Sequence, residues 1–148
     1  MSANCFVDTN VLVYFRDASE AQKQQSARDW LVRLWRERCG RLSLQVLSEY
    51  YVTVTERLKP GLDPEDARSD IRNLMAWNPI TTDRRVLEGA WPIQDRFGFS
   101  WWDALIVSAA QRANCRLLLT EDLQDGQQID ELTIRNPFQH TPSALLGE

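Results

Sequence analysis

The sequence predicts an α/β domain with helices on both faces of a central, mainly parallel sheet of four to five strands. Three observations carry this. Short apolar runs of strand length alternate with longer stretches of helical periodicity. Strands separated by helices require right-handed crossovers, and therefore parallel pairing. No repeat, low-complexity segment or long linker divides the 148 residues, so residues 1–148 read as one domain with a short tail from about residue 137.

The elements follow in order. Cys5-Phe6-Val7 is an apolar run that stops at Asp8, as a strand end does. Asp8-Thr9-Asn10 offers cap residues before a helical Val11-Leu12-Val13-Tyr14-Phe15. A second helix is predicted from about Ser19 to Arg38, with Ala27, Trp30, Leu31, Leu34 and Trp35 as its apolar stripe and Cys39-Gly40 ending it. Arg41-Leu42-Ser43-Leu44 reads as a second strand. Leu47, Tyr50, Tyr51, Val54 and Leu58 then mark a helix that stops before Pro60-Gly61.

Asp63-Pro64-Glu65-Asp66 is a helix start, with a cap, a first-turn proline and acids at the positive end; that helix runs to about Trp77. Pro79-Ile80-Thr81-Thr82 reads as a strand, followed by a helix from Asp83 to Phe97 that Gly98 breaks. Ser100 opens another helix, with Leu105, Ile106, Ala109, Ala110 and Ala113 on one side. Cys115 to Thr120 is the clearest strand, and Glu131 to Arg135 the last.

Composition narrows the chemistry. Apolar residues make up 43% and charged ones 26%, ordinary for a globular protein, and the net charge of −4 argues against binding nucleic acid by overall positive charge. Cys5, Cys39 and Cys115 are an odd count without motif spacing; Cys5 and Cys115 fall in apolar runs and read as small buried residues of a reducing compartment. No secretory signal or membrane span is visible, so a cytoplasmic protein is expected. The single histidine, His140, lies in the tail. That excludes a histidine-built zinc site and disfavours a Ser-His-Asp triad, and any metal would be held by oxygen, as magnesium or manganese are.

In parallel sheets the functional crevice lies beyond the carboxyl ends of the strands. Asp8 and Asp122 stand just past two predicted strands, Glu49 lies early in the helix after the second strand, and Asp103 is in the first turn of a helix. Each has a structural reading: helix cap for Asp8, capping-box member for Asp103, turn acid for Asp122, solvated helix residue for Glu49. Together they form four like charges that a helix dipole of about half a charge cannot balance, and a divalent cation can. Carboxylate-bound metals activate water and stabilise charge on a phosphodiester, which points to a metal-dependent nuclease or phosphatase.

The stretches FVDTNVLVY, LQVLSEYYVTVTER and WWDALIVSAAQRANCRLLLTEDLQDGQ, in this order, resemble the PIN-domain nucleases, in particular the VapC-type toxins of bacterial toxin–antitoxin pairs. The resemblance spans nearly the whole chain, except Lys59 to Gly98, where little signature is carried. It implies a PIN-like three-layer α/β/α fold. It makes Asp8, Glu49, Asp103 and Asp122 the quartet that binds Mg2+ or Mn2+, with Asn10 orienting Asp8, Thr120 supporting the site, and Asp125 as an extra acid or a turn residue. It further implies an endoribonuclease that cuts RNA to inhibit translation, a cognate antitoxin laid over the cleft, and a homodimer.

Two other readings stand beside it. A haloacid dehalogenase-like phosphatase also begins with an aspartate after a strand, but carries a second aspartate where this chain has Asn10. A non-catalytic acidic binding module is the other. Arg33, Arg36, Arg38 and Arg41, the pair Arg84-Arg85, and Arg112 with Arg116 are basic clusters that serve either as solvated helix faces or as RNA phosphate contacts. Trp101 and Trp102 point about 100° apart on a helix. That spacing allows one to be buried while the other faces the cleft or a partner, and for the exposed one a packing or antitoxin-contact role is favoured over base stacking.

Overall fold

The structure is a computed structural model and describes residues 3–148. Its strands are β1 (Cys5–Val7), β2 (Gly40–Arg41), β3 (Leu117–Leu119), β4 (Gln128–Ile129) and β5 (Leu132–Arg135). Its helices are α1 (Thr9–Phe15), α2 (Ala21–Glu37), α3 (Leu44–Val52), α4 (Pro64–Leu74), α5 (Arg84–Phe97), α6 (Trp101–Arg112) and α7 (Pro142–Leu146). The strands lie in the order β2-β1-β3-β5-β4, and every pairing is parallel except that of β4 with β5. This is the mainly parallel, helix-covered sheet that the alternation of elements predicts.

The core is built on residues from β1, β3 and β5. Phe6, Val7, Leu118, Leu119 and Ile134 are fully buried, and Val11, Trp30, Leu34, Val46, Tyr50, Val107 and Ala110 of the surrounding helices pack with them. Strands of three or four residues suffice because both faces of the sheet are covered. All three cysteines are free and buried, as the apolar runs around Cys5 and Cys115 predict for those two. Among the described residues no helix is long and apolar enough to cross a membrane.

The structure departs from expectation where a local bond outcompetes a pattern. β2 is Gly40–Arg41 and not Arg41 to Leu44, because the Ser43 side chain caps α3, accepting from the Val46 N–H at 3.2 Å. The predicted strand at Pro79 to Thr82 reduces to one parallel bridge between Ser43 and Ile80. Pro79 has no N–H to give to a ladder, and Asp83 already caps α5 through the Val86 N–H. β4 was not foreseen: it turns back on β5 through Asp130, whose φ of 56° places it in the left-handed region.

Two helix ends also differ. α2 stops on Arg38, which itself adopts the left-handed conformation (φ 56°), so Gly40 is not the residue that ends it. Gly40 is needed for contact: a Cβ there would come within 2.6 Å of the buried Trp77 ring. α3 continues into a single π-helical turn, Thr53–Arg57, before the chain leaves it. The tail beyond Pro137 is docked, with α7 inside it. The Trp30 indole N–H donates to the carbonyls of Pro137 and His140, each at 3.0 Å, and Arg33 donates to Gly147 O at 2.7 Å.

Candidate active site

Asp8 follows β1 directly, and its backbone N–H still donates to Leu119 O (3.1 Å), so the parallel ladder carries it beside the end of β3. Its Oδ1 caps α1 by accepting from the Thr9 N–H at 2.7 Å. Its Oδ2 accepts from the Thr120 hydroxyl at 2.8 Å and from Asn10 Nδ2 at 3.4 Å. The side chain is thus both the helix cap and part of a polar network at the sheet edge.

Thr120, fully buried, also accepts from the Asp122 N–H at 3.1 Å. Asn10 reaches further than the sequence indicates. Besides Asp8, its amide nitrogen donates to Thr120 Oγ1 at 3.0 Å and to Asp122 Oδ2 at 3.1 Å, while its Oδ1 accepts from the Glu121 N–H at 3.4 Å. Glu49, on α3, is held by the Thr9 hydroxyl, which donates to Oε1 at 2.9 Å. Asp103 lies in the first turn of α6, where Ser100 Oγ caps its backbone N–H at 3.1 Å.

These elements bring Asp8, Glu49, Asp103 and Asp122 onto the wall of one cleft of about 410 Å³. Thr9, Gln45, Arg57 and Trp102 share that wall. Asp125 does not. It is turned to the tail, where it accepts from the Asn136 N–H at 2.8 Å and contacts His140 Nε2 at 2.9 Å and Arg135 at 3.3 Å. The basic clusters are also elsewhere. Arg33 pairs with Glu37, Arg41 donates to Trp77 O (3.0 Å) and Asn78 O (2.9 Å), and Arg84 pairs with Glu88.

Burial pushes the Asp8 carboxyl up to about 7, with the charges of Asp122 and Glu49 adding to the rise, against the lowering effect of its Thr120 and Thr9 hydrogen bonds. Burial also raises Asp103, where Asp122 adds repulsion and Ser100 opposes it. At Asp125 the desolvation that raises it is outweighed by His140, the Asn136 N–H and Arg135, which hold it below the usual carboxylate range.

The chemistry of the donor set fits a hard divalent cation: four carboxylates in one cleft, two of them destabilised in their charged forms. Among the described residues no group of three acidic, histidine or cysteine side chains is drawn tightly enough to hold an ion as it stands. Closing on an ion would therefore require side-chain movement within the cleft.

Sequence reasoning missed Thr9, Gln45 and Arg57 as members of the wall. Thr9 had a signal in its place between Asp8 and Asn10. Arg57 had none, since its position depends on the π-helical turn.

An α/β/α domain with acids gathered beyond the carboxyl ends of parallel strands is the class this geometry defines. A PIN domain profile matches residues 5–129, and the chain belongs to the PIN-domain family. Solved structures share the fold. DNA-bound VapBC from Salmonella typhimurium superposes with a TM-score of 0.64 at 16% identity, covering 91% of this chain and 98% of that one. VapC20 of Mycobacterium tuberculosis, a sarcin-ricin loop cleaving toxin, gives 0.60 at 21% identity, covering 78% and 87%. A toxin–antitoxin complex from Klebsiella pneumoniae gives 0.58 at 17% identity, covering 90% and 98%. Comparison with curated protein sequences yields no significant match.

Proposed function

We propose that the protein is a metal-dependent endoribonuclease and the toxin of a toxin–antitoxin pair, cutting RNA phosphodiester bonds and so inhibiting translation. The observation that carries the reading is the convergence of Asp8, Glu49, Asp103 and Asp122 on one cleft in a PIN-domain chain. These four would hold Mg2+ or Mn2+, which when bound supplies water activation and stabilisation of the charge that builds on the phosphate.

The chain's own residues prepare that site. Thr120 and Asn10 hold Asp8 through its Oδ2, and Asn10 ties Asp122 to the same network. Thr9 holds Glu49 against α1. Each link is a neutral donor to a carboxylate, so orientation is gained without neutralising the charge a cation needs.

A protein partner is supported by a separate groove of about 470 Å³, lined by Leu12, Phe15, Leu31, Val32, Trp35 and Leu74. Val32 and Trp35 are 52% and 48% exposed there, an apolar surface suited to an antitoxin segment. Toxin–antitoxin complexes among the structural neighbours support the same partner, and a homodimer working in the cytoplasm completes the proposal.

The test is cleavage of total RNA with Mg2+ or Mn2+ by wild type, Asp8→Asn and Asp103→Asn proteins of confirmed fold. Both variants should lose at least about a hundred-fold in rate, the scale of removing a group that holds charge at the reacting centre. A folded double variant that cuts RNA as fast as wild type would falsify the assignment.

A further inference from the structure

We propose that Trp102 is a stacking platform for an unpaired base of the substrate, with Arg57 taking a phosphate of the same strand; the inference rests on the ribonuclease reading. Among the described residues Trp102 is the most exposed large apolar side chain, at 61%, and it lines the acidic cleft next to Asp103. Its neighbour Trp101 is half-buried and packs on the core. The helix therefore spends one indole on folding and turns the other to the cleft, where it contributes little to the packing of the domain.

Arg57 is the cation of that cleft wall. It is exposed, and among the described residues its guanidinium makes no hydrogen bond or ion pair, although four carboxylates line the same cleft. It stands at the end of the π-helical turn Thr53–Arg57, and such turns shift the following side chains around the helix relative to a regular α-helix. Gln45 adds a third feature: its amide nitrogen is buried in the wall with no acceptor among the described residues. A buried donor without an acceptor is an uncommon, unfavourable arrangement in a finished structure.

An open aromatic face, an unpaired guanidinium and an unsatisfied donor match the three contacts an unstacked nucleotide offers: its π face, its phosphate and its base edge. A base inside an A-form helix presents its faces only to neighbouring bases, so duplex RNA cannot use Trp102 in this way. Stacking is tolerant of base identity, so the platform selects for unpaired structure and leaves sequence choice to other contacts.

The experiment uses the full chain carrying Asp103→Asn, which keeps RNA intact, and measures anisotropy of a labelled single-stranded oligoribonucleotide and of its duplex in Mg2+. Adding Trp102→Ala should weaken single-strand binding by about ten-fold or more, the scale of one lost stacked base. Trp102→Phe should recover most of it, Arg57→Ala should weaken it with a shallower salt dependence, and duplex binding should be unaffected by the change at Trp102. Unchanged single-strand affinity in Trp102→Ala overturns the proposal, as does equal loss in the Phe and Ala variants. Unchanged RNA affinity with an altered sedimentation mass would instead assign Trp102 to a protein interface. Failure of the wild-type protein to cut RNA would strike the ribonuclease reading, while the anisotropy series still judges the platform.

Discussion

At Asp8 the folded protein holds a proton more tightly than the unfolded chain, at about 7 against an ordinary 3.8. The native state therefore binds more protons between those values, and stability falls as pH rises through that window until the carboxyl is ionised. With divalent cations chelated, Asp8→Asn should gain on wild type by a few kcal/mol as pH rises from about 5 to about 8. Urea unfolding of both proteins across that range checks this, and a difference that does not change with pH would count against it. Adding Mg2+ or Mn2+ at pH 8 should raise the wild-type Tm and leave the variant nearly unmoved, since an ion at 100 times its Kd stabilises by about 2.7 kcal/mol. Much of this was legible in the sequence, because an acid directly after an apolar strand is conspicuous. Its bonds were not, since Thr120 lies 112 positions away. The Glu49 link to Thr9 was hidden for the same reason, spanning 40 positions.

The ends of elements show why boundaries were harder to read than the elements themselves. A glycine after a helical stretch predicts a left-handed stop, and Gly40 sits close to the right place. The left-handed residue is nevertheless Arg38, while Gly40 admits the Trp77 ring. Two opposite outcomes follow. Arg38→Gly should stabilise by about 1 kcal/mol, because a left-handed backbone is unfavourable for a residue with a Cβ. Gly40→Ala should destabilise by about 1–3 kcal/mol through overpacking against the buried Trp77 ring. Thermal melts of the two variants should bracket wild type; both shifting in the same direction would contradict the account. The π-helical turn after α3 was equally invisible, since Val54 and Leu58 fit an ordinary helical stripe and only tertiary packing selects the wider turn. For the antiparallel β4, the two residues that turn it into β5, Asp130-Glu131, are not the Asn-Gly or Asp-Gly pair that marks short hairpins.

For the molecule as a whole, alternation of apolar runs was enough to give the layers and the parallel sheet, because period and length survive errors at every boundary. The weak point was the tail. Prolines and a lone histidine read only as a short tail, yet Trp30 donates to its Pro137 and His140 carbonyls and Arg33 to those of Leu146 and Gly147. Removing residues 137–148 should lower stability by about 2–4 kcal/mol, combining the exposure of a buried indole with unsatisfied donors on Trp30 and Arg33. Calorimetry of the truncated chain, with circular dichroism to confirm its helices, measures this; an unchanged Tm would mean the tail only rests on the surface.

The parallel pairing of Val7 with Leu119 has a consequence in time as well as in space. Asp8 is made long before the strand that ends at Leu119, which pairs with β1 and leads to Asp122, and that strand is itself flanked by one ending at Arg135. Pairing between such distant segments forms only when both have been made. A growing chain therefore carries its acids in separate pieces, and whatever chemistry they perform together begins only after the strands that end at Leu119 and Arg135 have been made. Under the function proposed above, an unfinished copy leaves the messenger that encodes it uncut.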